Sequence, residues 1–166
     1  MTTRPFVPWP DKRLQTVADP VDKITDEIHA IWQDMIDTME AMPGLGLAAV
    51  QIGINLRLAV VDCSTERGQV VRMANPEIID ASDALFSYDE GSPNLPGMSA
   101  TLQRPKTVMV AFTDTAGMRV RREFTDLWST SVQHQIDHLN GKMYFDNLSR
   151  VKRNMLLKKA AKGSRA

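Results

Sequence analysis

The sequence predicts an α+β domain, on three observations. Apolar residues recur at helical spacing in an early and a late block, short apolar runs of strand length lie between them, and these strands come in groups instead of alternating singly with helices. Residues 1–17 are proline-rich and predicted to be extended. Asp19-Pro20 predicts a helix start, with Asp19 as N-cap, proline at the first helical position and Asp22 in the first turn. Val21, Ile24, Ile28, Ile31, Trp32, Met35, Ile36 and Met39 then form one apolar face, and Pro43-Gly44 ends the helix. Leu58–Val61 and Val70–Met73 read as short strands around a loop containing Gly68. Thr107–Phe112 and Met118–Thr125 read as a hairpin turning through Asp114, Thr115, Ala116 and Gly117. A second helix is predicted from Asp126 to Asn140, closed by Gly141, and a last one from about Leu148 to Lys162. No repeat, linker or low-complexity segment divides the 166 residues, which predicts a single domain spanning 1–166 with a basic helix and tail from about 148.

Composition is that of a globular protein, with 43% hydrophobic residues and no net formal charge. No apolar run reaches membrane-spanning length, Met1 to Pro5 lead into no signal-type segment, and the single Cys63 agrees with a reducing compartment. A cytoplasmic location without membrane contact is the expectation. Charge is uneven, however. Arg150, Lys152, Arg153, Lys158, Lys159, Lys162 and Arg165 follow one another with no acidic residue, so the rest of the chain carries the balancing negative charge. An acidic partner such as RNA or the ribosome is one reading of this segment; a solvated helix and terminal tail is the other.

The densest chemical signal is Gln133-His134-Gln135-Ile136-Asp137-His138. Two histidines four apart share one helix face and can hold one metal ion. Hydrolases built this way carry a glutamate after the first histidine, which takes a proton from metal-bound water and passes it to the leaving group. Here that place holds Gln135, an amide of similar shape that does not ionise. Two loops accompany this helix. Gly44-Leu45-Gly46-Leu47-Ala48-Ala49-Val50-Gln51 ends an apolar run on a polar residue, and alone it reads more often as a turn between helix and strand than as a binding loop. Glu90-Gly91-Ser92-Pro93-Asn94-Leu95-Pro96-Gly97 is a proline-rich loop.

Together and in this order, the three segments resemble the peptide deformylase family, which removes the N-formyl group from the starting methionine of nascent chains. The family's first motif, Gly-x-Gly-Leu-Ala-Ala-x-Gln, is matched throughout by Gly44 to Gln51. Its second, Glu-Gly-Cys-Leu-Ser followed by x-Pro-Gly, shares its frame with Glu90, Gly91, Pro96 and Gly97. Its third, Gln-His-Glu-x-Asp-His-Leu followed by Asn-Gly, is matched from Gln133 to Gly141 except at Gln135. The likeness runs from about Pro5 to Lys162 and implies the peptide-deformylase fold, with antiparallel strands packed around the helix that carries the histidines.

By that resemblance, Fe2+ or Zn2+ is held by His134, His138 and a cysteine whose position is Ser92. A neutral hydroxyl brings neither the charge nor the soft donation of a thiolate, so the metal is expected to be weakly bound or absent. The resemblance also gives the oxyanion two donors, Gln51 and the backbone N–H of the residue after the cysteine; here that residue is Pro93, which has none. Leu45, Gly46, Glu90 and Gly91 take the family's peptide-binding positions, and Leu127, Thr130 and Ser131 line the pocket for the first side chain, more polar here than a methionine pocket. The resulting expectation is a deformylase-like protein with impaired hydrolysis that keeps its grip on the N-terminal segment of a peptide or nascent chain. The alternatives are a metal-dependent hydrolase with a weakly held metal, and a structural or regulatory partner of another protein. Of the remaining residues, Cys63 is expected to be a small buried side chain, Trp128 core packing, and His29 solvent-facing. Asp137 is expected to orient a neighbouring histidine or arginine, with Arg104 as a candidate.

Overall fold

The computed structural model describes residues 2–164; Met1, Arg165 and Ala166, which belong to the predicted extended start and basic end, lie outside the described residues. Strands β1 (Gly46–Ala48), β2 (Leu58–Val61), β3 (Val71–Ala81), β6 (Thr107–Thr113) and β7 (Arg119–Thr125) make an antiparallel sheet in the order β1-β2-β3-β6-β7. Strands β4 (Leu85–Glu90) and β5 (Ala100–Pro105) make a separate antiparallel pair. Helix α1 (Asp26–Ala41) covers one face of the large sheet and α2 (Leu127–Leu139) the other.

The four consecutive apolar residues of β2 follow from this sandwich. Leu58 and Val60 face Trp32, Met35 and Met39 of α1, while Ala59 and Val61 face Val132, Ile136 and Leu139 of α2. Each large side chain taken fully out of water contributes roughly 1.5–3 kcal/mol, so a helix on each face is worth more than the propensity of either. A third cluster (Val7, Leu14, Leu102, Met143, Tyr144 and Phe145) packs the N-terminal segment against the chain that follows α2.

The first helix begins later than Asp19-Pro20 predicts. Thr25 is its N-cap, its hydroxyl accepting from the Ile28 N–H, whereas Asp19 is held in an isolated parallel bridge to Leu56. Arg57 N–H donates to the Asp19 carbonyl at 2.8 Å, and both polar ends of Asn75 grip the Val21 backbone at 2.8 Å. Tertiary hydrogen bonds thus keep residues 19–24 extended although their apolar spacing looks helical. The strand at Val70–Met73 is longer than predicted. It continues through Asn75, in the left-handed region at φ 49°, and Pro76, with register shifts that let it bend. The motif from Gly44 to Gln51 is a strand, β1, running into a short 3-10 turn, Ala49–Ile52.

Helix α2 and the hairpin of β6 and β7 fall where the sequence predicts them. Gly141 ends α2 at φ +77°, and a Cβ there would stand 2.8 Å from the Gln15 backbone, so only glycine allows the N-terminal segment to cross this helix end. The last helix, α3 (Arg150–Ser164), leans Leu156 and Leu157 on the third cluster and leaves Val151 and Met155 exposed. Its Arg153 pairs with Asp146 at 2.7 Å and covers the Phe145 ring. Among the described residues no helix is long and apolar enough to cross a membrane.

Candidate functional site

Helix α2 carries the site's floor. His134 and His138 sit one turn apart on its buried face, with their Nε2 atoms 3.1 Å apart. The other nitrogen of His134, Nδ1, lies 2.8 Å from Glu90 Oε1 at the end of β4. A carboxylate only accepts, so the His134 proton sits on Nδ1 and its Nε2 is a lone pair. The His138 Nε2 faces that lone pair, a spacing open both to a hydrogen bond between the rings and to a shared metal ion, and its own Nδ1 is buried with no partner among the described residues. Burial above all, then the electrostatic influence of the His134 ring and of the Arg104 guanidinium, holds His138 well below the ordinary histidine pKa, so it is neutral.

Glu90 is itself clamped. Arg104 on β5 donates to both its oxygens at 2.7 and 2.9 Å and to Asp137 at 3.0 Å, which also accepts from Asn147. Burial pushes the Glu90 pKa up, but the hydrogen bonds from His134 and Arg104 and the arginine's charge outweigh it and leave the carboxyl below its usual range. Asp137 therefore orients Arg104, as the sequence leads one to expect.

The donor set fits a resident Fe2+ or Zn2+ poorly. A metal-bound histidine ordinarily donates its second N–H to an oxygen partner, which His134 has in Glu90. For His138 Nε2 to hold a metal its proton must sit on Nδ1, where nothing among the described residues accepts it, at a cost of about 1–3 kcal/mol for a stranded buried donor. The third position, Ser92 Oγ, donates to Asn94 Oδ1 at 2.9 Å. The Asn94 N–H at 3.4 Å and Gln51 Nε2 at 3.5 Å crowd its remaining side. Among the described residues no three His, Cys, Asp or Glu side chains are grouped to hold a metal ion.

Gln51, in the 3-10 turn after β1, is 2% exposed; its Oε1 accepts from Ala48 N–H at 2.9 Å and its Nε2 donates to Asn94 Oδ1 at 2.8 Å. Pro93 lies beside them and offers no N–H. Asn94 escaped the reading of the sequence. The signal was available, since an asparagine two residues after a serine in a loop is a frequent local hydrogen-bonding partner.

These groups border a cavity of about 360 Å3. Met42 to Gly46 form one wall, Tyr88 to Pro93 the other, and Thr130, Ser131, His134 and Gln135 the floor. Leu45, Gly46, Glu90, Gly91, Ser92, Pro93 and Gln51 thus meet in one place. Leu127 does not join them. On the first turn of α2 it is half-buried outside the lining, and its carbonyl accepts from Cys63 Sγ at 3.6 Å. Gln135 takes the proton carrier's position but has no hydrogen-bond partner for its buried Oε1, and Thr130 Oγ1 is equally unpaired. Gly46 makes room for this floor, because a Cβ there would lie 2.6 Å from both Gln135 Nε2 and Ser131 Oγ. Ser131 Oγ donates to the Leu45 carbonyl at 3.0 Å. Trp128 packs on the core and borders a different cleft; Cys63 is half-buried, its thiol pushed up to about 12 by burial. His29 is exposed.

Comparison with known proteins agrees with this layout. The family model for polypeptide deformylase matches residues 3–154. A peptide deformylase of Afipia carboxidovorans is 39% identical over 167 residues, covering 99% of this chain and 98% of the relative. One of Methylocella silvestris is 41% identical, covering 99% and 87%. The crystal structure of peptide deformylase from Ehrlichia chaffeensis in complex with actinonin superposes with a TM-score of 0.91 at 32% identity, covering 100% of each chain.

Proposed function

We propose that this chain, which belongs to the peptide deformylase family, binds the N-terminal segment of a peptide or nascent chain without hydrolysing it. The family is metal-dependent and acts on N-formyl peptides. The observation that carries the reading is the state of the ligand set. A proton on His138 Nδ1 has no acceptor, and the third ligand position is a hydroxyl already bonded to Asn94. What such a site keeps is a place for an extended peptide. β1 is the edge strand of its sheet, so its outer backbone row, apart from the Ala48 N–H held by Gln51, can pair with an added strand beside the cavity. The peptide's first side chain enters between Leu45, Thr130 and Ser131, and Gln135 holds its carbonyl end by hydrogen bonding without moving a proton. The protein works where nascent chains are made, in the cytoplasm, and the basic residues of α3 are where an RNA or ribosome contact belongs in this reading.

A second reading is a hydrolase with a weakly held metal. The name peptide deformylase borne by relatives at 39% and 41% identity favours it. Calorimetric titration with a short N-formylmethionyl peptide separates the two, followed by the mass of the peptide recovered. One-to-one binding with the peptide recovered intact is expected; release of formate in step with binding overturns the proposal in favour of the hydrolase.

A further inference from the structure

Asn94 lies behind the cavity lining, bonded to the lining residues Gln51 and Ser92, and it is 2% exposed. Its Nδ2 faces two backbone carbonyls, Val7 at 2.7 Å and Gln51 at 3.0 Å. Carbonyls only accept, so that atom must be the nitrogen, and the amide orientation is forced by the backbone. The Oδ1 is then fixed as an acceptor and takes the Ser92 hydroxyl proton at 2.9 Å and a Gln51 Nε2 proton at 2.8 Å. Gln51 is pinned from its other end by Ala48 N–H on Oε1. Its second Nε2 proton points at Ser92 Oγ, 3.5 Å away. Each strong donor and acceptor in this group is matched to another member of the chain, and neither amide is free to flip without stranding a buried group.

We propose that Asn94 is a positioning residue that withdraws Gln51 and Ser92 from reaction chemistry, tying both into a closed knot of hydrogen bonds at the corner of the cavity. The proposal rests on the binding-without-hydrolysis reading and deepens it. Ser92 spends its proton on Asn94 and turns its lone pairs toward the N–H groups of Asn94 and Gln51. Gln51, the one oxyanion donor of the family pattern that survives in the sequence, spends its amide protons inside the protein. A ligand oxygen arriving at this corner meets donors already in use. The three departures at Ser92, Pro93 and Gln135 are therefore joined by a fourth at Asn94, where the family pattern has a serine, which carries no amide to bridge two carbonyls and Gln51 at once. Reversing the first three leaves Gln51 tied.

Two measurements test this. In the native chain, the side-chain amide protons of Gln51, assigned by their loss in Gln51→Glu, are followed by NMR as they exchange with solvent. They are expected to exchange at least roughly fivefold more slowly than those of the exposed Gln103, and Asn94→Ser is expected to abolish the difference, the factor that about one ordinary hydrogen bond supplies. Exchange as fast as that of Gln103 in the native chain overturns the proposal, and this reading needs no variant to fold. The second compares the variant Ser92→Cys, Pro93→Leu, Gln135→Glu with the same variant carrying Asn94→Ser. With equal metal content in both, the added change is expected to raise kcat for formyl hydrolysis by roughly 10²-fold at little change in KM, as for one regained oxyanion donor. Turnover in both variants at equal kcat overturns the proposal. A protected Gln51 amide that Asn94→Ser frees, with no turnover in either restored variant, upholds the knot and instead sinks the idea that the pocket is a disarmed deformylase.

Discussion

A short N-formylmethionyl peptide is expected to lose its formyl group on this chain at least roughly 10⁴ times more slowly, in kcat/KM, than on the Afipia carboxidovorans relative, each supplied with iron or zinc. The physical reason lies in two groups of one reaction. Gln135 has no proton to give or take at neutral pH, and a positioned acid–base is worth about 10²–10⁴ in rate. Pro93 offers no N–H, and an oxyanion donor is worth about 10²–10³. Groups that act as a unit do not add independently, so the expectation is set at about 10⁴, the product of the two low ends, and not at the full product. Formate release followed under initial-rate conditions checks it. A rate within roughly a hundredfold of the relative, the loss of a single donor at most, contradicts it.

The second large effect is on stability. Arg104→Ala is expected to destabilise the fold by about 3–5 kcal/mol, because it leaves the Glu90 carboxylate charged, 3% exposed and bonded only to His134. In thermal denaturation this corresponds to a fall in Tm of roughly 6–20 °C for a domain of this size. Arg104→Lys is expected to recover part of it, since an ammonium keeps the charge but not the paired bonds to both Glu90 oxygens. A change below about 1 kcal/mol in Arg104→Ala, the range of exposed ion pairs, shows that Glu90 is solvated and that the clamp does not organise the site.

Much of this was legible in the sequence, for reasons that differ from place to place. The helix from Asp126 to Gly141 was readable because apolar spacing, a polar start and a left-handed glycine all point the same way. The hairpin ending at Thr125 was readable from its Asp114–Gly117 turn, where the Asp114 carboxylate holds the N–H groups of Ala116 and Met118. Strands β4 and β5 were not readable. β4 is mostly exposed, and although β5 turns Leu102 and Arg104 inward between exposed Thr101 and Gln103, one of its two inward residues is charged, so no apolar period of two appears; Arg104 meets Glu90 inside. The Asp19-Pro20 start misled for a related reason, since local cap chemistry there loses to the distant Asn75 amide. At the site, the histidine spacing pointed to His134 and His138, while Ser92, Pro93, Gln51 and Gln135 were assigned by resemblance to the family motifs; in the structure these four line one cavity with His134. Partnership was beyond their reach. That His138 lacks a second-nitrogen acceptor, and that Asn94 occupies Gln51, are facts of geometry between segments far apart in the chain.

The most direct test is the metal content of the untagged protein, measured by elemental mass spectrometry after brief chelator treatment, with the melting temperature recorded before and after. Near-zero metal in a chain that melts at the same temperature in both states is the expected result, because a proton on His138 Nδ1 has no acceptor and the Ser92 hydroxyl is bonded to Asn94. About one iron, zinc or nickel per chain that survives the chelator contradicts it. That result would mean that His138 finds an acceptor for its proton, that Ser92 or water completes the ligand set, and that the chain is a hydrolase.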